Sequence, residues 1–127
     1  MDYRNEEHRI AFMEAIEKLN RKDYALMSAV YLLTAEHALW MKAKQRVRQN
    51  KICFNAIKLQ NSTENAYTLF CCAKDLYLGT KHITIKDLAD KDLIAPRIFD
   101  LICKAMAIRR FGLAPLNSNK ERNICND

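Results

Sequence analysis

Along most of this chain apolar residues recur three and four positions apart, with polar residues on the opposite side of the implied helix. Phe12, Met13, Ile16 and Leu19 form the first such row, backed by Glu14, Glu17 and Lys18. With Asn5 placed to cap it, the row predicts a helix from about residue 6 to residue 20. Asp23 can cap a second helix that continues "YALMSAVYLLTAEHALWMKAKQRV". Leu26, Ala29, Val30 and Leu33 make one apolar face there, and Trp40, Ala43 and Val47 extend a stripe further on. The pattern fits one long helix, or two joined at a bend near Thr34, whose hydroxyl would cap the new start. Tyr24, Met27 and Tyr31 widen the apolar arc, which predicts cover on more than one side.

The period fails in "QNKICFNAIKLQNST", where Ile52, Phe54, Ala56 and Ile57 suggest a short extended segment or an irregular crossover near 51–58. Ser62 or Thr63 then caps a helix over residues 64–78. Ala66, Leu69, Phe70, Ala73, Leu76 and Tyr77 line its inner side, and Gly79 supplies a left-handed stop. Thr84 and Asp87 have the spacing of a capping box for a short helix over about 85–91. Pro96 suits the first turn of a last helix, in which Ile98, Leu101, Ile102, Ala105 and Ile108 repeat inward before Gly112 ends it. These elements predict an all-α, single-domain compact bundle of about five helices. The helical domain would span residues 1–112, followed by a polar, flexible tail over 113–127.

Composition agrees with that picture. With only two glycines and two prolines, a many-stranded β fold and glycine-rich phosphate loops are both excluded. There is no apolar run long enough to cross a membrane. The start, "MDYRNEEHRI", lacks an apolar signal region, so a cytoplasmic protein is expected. Five cysteines, two of them adjacent, make a poor disulfide framework and are expected to be buried thiols. His8, His37 and His82 show no ligand spacing. Cys71 or Cys72 with His82 is a weak nucleophile pairing, because nothing in the sequence brings them together. No catalytic residue, metal site or cofactor is expected, and the chain is read as a non-enzymatic binding protein.

Charge narrows the search. The net charge of +6 rests on 21 basic and 15 acidic residues, and six of the basic ones lie between His37 and Thr63, where there is no acid. These are Lys42, Lys44, Arg46, Arg48, Lys51 and Lys58, and the rest of the chain is balanced. An electrostatic partner is therefore sought at this segment. On a helix, positions 42, 44, 46 and 48 would spread over two edges, and Trp40 would either stack on a base or join the core. Whether Trp40 and Tyr31 are core or interface stays open from sequence.

A helix-turn-helix reading of residues 84–110 competes with this one. The turn "KDLIAP" lacks a glycine, and Asp87, Asp90 and Asp92 would repel duplex phosphates. The outward face of the second helix would carry Arg97, Asp100, Lys104 and Ala107, a mixed set, so core-packing scaffold is the preferred reading.

Taken together, "KDYALMSAVYLLT", "LQNST", "AKDLYLG" and "FDLICKAMAIRRFG" resemble a family of small Firmicutes proteins of chromosomes and mobile elements, known as a domain of unknown function. The matching positions are Asp23, Tyr24, Ala29, Tyr31, Leu32, Leu33, Gln60, Thr63, Ala73, Leu76, Tyr77 and Gly79. Leu59 stands where that family often has tryptophan, and its arginine-rich turn after the second helix is missing. The resemblance brings no catalytic residues. It implies a mobile-DNA setting, in which small proteins act by binding and blocking host machinery. The expected partner is a host protein, such as a nuclease or nucleoprotein complex of a defence system, with an anti-CRISPR-like inhibitor as the leading reading. Nucleic acid bound through the basic segment is the alternative, and a homodimeric module a third.

Overall fold

The computed structural model describes residues 2–117. Within them six α-helices follow in order: α1 (Glu6–Ile16), α2 (Tyr24–Leu33), α3 (His37–Ala43), α4 (Glu64–Leu78), α5 (Ile85–Leu88) and α6 (Pro96–Phe111). Between α3 and α4 runs a two-stranded antiparallel hairpin, β1 (Val47–Arg48) and β2 (Lys51–Ile52). The all-α class stands, with one helix more than the pattern predicted.

The additional helix arises at Thr34. Its hydroxyl does not cap a new start as expected; it donates back to the carbonyls of Val30 (2.8 Å) and Tyr31 (3.1 Å). The Val30 carbonyl keeps its helical bond from the Thr34 N–H, but the Ala35 N–H turns to Leu32 and the Tyr31 carbonyl takes the Thr34 hydroxyl and the His8 ring, and α2 stops there. Glu36 then turns extended before α3, with no side-chain cap. The other caps form as expected. Asn5 Oδ1 accepts from the His8 N–H, Asp23 Oδ1 from Leu26 and Thr63 Oγ1 from Ala66. Thr84 and Asp87 close a reciprocal capping box. That box starts only one turn, α5, shorter than expected because Asp90 Oδ1 takes the Asp92 N–H in a tight local turn.

At the centre lies α2, with α4 and α6 packed along it and α1 laid over it. Every residue from Leu26 to Ala35 is buried, including Ser28 and Thr34, because three helices surround this one element. On α6 the five predicted core positions are all buried. On α1 the core positions are His8, Phe12 and Ile16, while Met13 is 41% exposed. The folded unit also continues past Gly112. Leu113 and Leu116 pack on the core and Ala114–Asn117 form a 3-10 turn, which moves the expected boundary; the remainder of the predicted tail lies outside the described residues.

Candidate functional site

The acid-free segment does not continue as a helix, and this decides where its cations point. After α3 the chain tightens into a 3-10 turn at Lys44–Arg46 and enters the hairpin. Gln49 and Asn50 occupy the two-residue turn at φ 55° and 61°, the left-handed pair that a hairpin with native twist requires. The hairpin is tied to the rest of the fold at two points and closed at its base by a bond of its own ladder. Asn50 Oδ1 accepts from the Asn20 N–H (2.6 Å), the Ile52 N–H donates to the Tyr77 hydroxyl (3.3 Å), and the Cys53 N–H donates to the Arg46 carbonyl (2.9 Å).

Strand alternation sorts the side chains. Val47 pairs with Ile52 on the inner face, and Arg48 pairs with Lys51 on the outer face. Two cations thus stand directly opposite each other, an arrangement that destabilises a sheet. Lys44, Arg46, Arg48, Lys51 and Lys58 are all exposed, and none enters an ion pair among the described residues. Lys44 and Arg48 share one groove wall, whereas Lys58 sits apart on the segment leading to α4.

Two of the sequence-derived site residues have other roles. Lys42 donates its ammonium to the Gln60 carbonyl (2.6 Å) and the Ser62 hydroxyl (2.9 Å), so it clamps the approach to α4. Trp40 is only 8% exposed and belongs to the core, which removes the stacking platform proposed for it. Tyr31 is core as well.

Beside the hairpin lies a groove of about 590 Å³. Ala11, Ala15, Leu19, Val47 and the edge of Trp40 form its floor. Glu14 and Glu17 rise on the α1 side, where Lys18 also lies, and Lys44 and Arg48 on the hairpin side. No ion pair crosses the gap among the described residues.

A second polar feature gave no signal in the sequence. His8, read only as a histidine without ligand spacing, is 1% exposed and holds the N-terminal segment onto α2. Its Nδ1 accepts from the Arg4 N–H (2.9 Å), so its Nε2 carries the proton and donates to the Tyr31 carbonyl (2.8 Å). Burial, with the nearby Arg4 charge adding to it, pulls its pKa down to about 4 against the favourable bond to Tyr31. Tyr3 and Tyr31 pack against it, Phe12 meets Tyr31 edge-on, and the Tyr31 hydroxyl donates to the Asp2 carbonyl.

The imagined Cys–His pair is not assembled through His82. Burial pushes the Cys72 thiol up to about 12 and raises Cys71 too, so both stay protonated. The ring of His82 bonds instead to Asp75 Oδ1 (3.0 Å). Burial would raise the pKa of Asp75, but bonds from Thr80, the backbone of His82 and Ile83, and the His82 ring outweigh it and lower the net value. This carboxylate organises the loop after α4. No group of three His, Cys, Asp or Glu side chains comes within metal-binding reach among the described residues. Nor is any helix there long and apolar enough to cross a membrane.

No family model matches this chain, and no curated protein or solved structure is significantly similar to it.

Proposed function

We propose that this chain is a non-enzymatic binding protein that docks the hairpin face onto an acidic surface of another protein. The observation that carries the reading is the Arg48–Lys51 pair, two exposed cations opposed across a hairpin that Asn20 and Tyr77 hold in place, without an acid between them. An anion that covers both cations would relieve their repulsion, so the pair is suited to an acidic partner surface. The mobile-element setting, drawn from the resemblance above, makes the partner a host protein. In that setting the binding blocks a defence nuclease or nucleoprotein complex in an anti-CRISPR-like manner.

Nucleic acid is the second reading, favoured by the same free cations. Two features weigh for protein. Trp40 is buried and offers no face to a base, and Glu14 and Glu17 interrupt the basic lining of the groove beside Arg48, so no continuous track of cations follows a phosphate backbone there. A helix-turn-helix gains little support from an α5 of one turn with Asp90 and Asp92 exposed beside it.

The test is capture from nuclease-treated host lysate by wild type and by the R46E/R48E/K51E variant. The expected outcome is one partner retained by wild type and lost by the variant, together with loss of protection in a phage-interference assay. Retention of the same partner by the variant would sink the hairpin reading. Direct binding to DNA or RNA alone, weakening steeply between two salt concentrations, would replace protein with nucleic acid.

A further inference from the structure

We infer that the groove between α1 and the hairpin receives an amphipathic helix of a partner protein, with an apolar ridge flanked by one acidic and one basic row. This names the segment recognised and rests on the protein-binding reading only for the existence of a protein partner.

Three observations converge. The groove, at about 590 Å³, is lined by the apolar side chains of Ala11, Ala15, Leu19 and Val47, a surface suited to an apolar ridge. Small side chains at Ala11 and Ala15, one helical turn apart on α1, allow an incoming ridge to sit deep. The α1 side carries Glu14 and Glu17 with Lys18, a wall of net negative charge, against Lys44 and Arg48, yet no ion pair joins the two sides among the described residues. Oppositely charged walls that do not close on each other set a field across the gap, and an occupant bearing both signs satisfies it. A uniformly charged occupant, a nucleic acid strand included, meets attraction on one side and repulsion on the other. The same field selects direction, because reversing a helix in the groove exchanges its two flanks.

The probe is a short capped helical peptide without tryptophan, with leucines at i, i+4 and i+7, glutamates along one flank and lysines along the other. Trp40, the sole tryptophan, reports occupancy by fluorescence from the groove floor. Two control peptides carry glutamate on both flanks or lysine on both. The mixed peptide is expected to bind wild type, and both controls at least roughly tenfold more weakly. Equal binding of all three, or preference for a uniform peptide, would overturn the inference.

Two variants separate shape from charge. Ala15→Phe fills the floor and is expected to abolish peptide binding. Should that variant fold poorly, E14K/E17K, both at exposed positions, gives a gain instead: preference switches to the all-glutamate peptide. Failure to switch counts against the inference. R46E/K51E, which does not line the groove, is expected to leave peptide affinity unchanged while weakening capture of the partner. The groove and the hairpin face can therefore fail separately.

Discussion

His8 shows how one residue couples the docking of the N-terminal segment to acidity. Both ring nitrogens are used in the neutral form, and a proton added to Nδ1 would point at the Arg4 N–H that now donates to it. The folded pKa near 4 lies below the ordinary 6.5, so between those values the unfolded chain binds a proton that the folded chain refuses. Stability from this group is complete above pH 6.5 and is lost as pH falls to about 4, a span of about 3 kcal/mol. Urea denaturation across that window should show the slope, and His8→Phe should flatten it. An NMR titration placing His8 near 6.5 in the folded protein would rule this out. Asp75 acts in a lower window, since its depressed pKa retains its contribution above the ordinary carboxylate value. At this scale the sequence was legible for caps and silent for knots. Asn5, Asp23, Thr63 and Thr84 act on groups three residues away, whereas His8 meets Tyr31 only through folding.

Among the elements, the hairpin departs most from the sequence pattern. Residues 42–48 continue a helical stripe through Trp40, Ala43 and Val47, and Arg and Lys are good helix formers. Tertiary bonds override that local preference. Asn20 fastens the turn and Tyr77 the second strand, and both partners are distant in sequence. The signal available was the "QN" turn, an asparagine flanked by the apolar Val47 and Ile52, which is weaker than Asn-Gly. The like-charge pair it creates gives a prediction of opposite sign for stability and function. Lys51→Glu, setting an acid against Arg48, should raise stability by about 0.2–1 kcal/mol in chemical denaturation while weakening partner binding. Should stability fall, the pair is not repulsive in place and loses its value as a functional mark. Helices α4 and α6 behaved otherwise: their periods, start signals (Thr63 for α4, Pro96 for α6) and terminal glycines are local, and their bounds follow the pattern closely.

For the whole molecule, the arrangement around α2 sets the energetics. Val30 and Leu32 lie on opposite sides of that helix and neither has exposed surface, because α1, α4 and α6 together enclose it. Leu32→Ala should therefore cost about 2–5 kcal/mol, as a central core truncation does, and Val30→Ala should be destabilising as well. A thermal melt of Leu32→Ala near wild type would mean that one side of α2 is open. The apolar richness of "YALMSAVYLL" already marked the helix as covered on several sides. Periodicity, caps and scarce turn formers were enough to establish a helical bundle, since each is a relation among residues a few positions apart. The location of an acid-free cluster of cations was likewise visible in the chain. Which of those cations are free was not. Lys42 is consumed by Gln60 and Ser62, Arg48 is set against Lys51, and Glu14 and Glu17 are carried from α1 to face the hairpin across the groove. Local pattern specifies which face of a segment is apolar, but hydrogen bonds and charges from distant segments meet only after those faces are buried, so the proposed binding surface belongs to the tertiary structure.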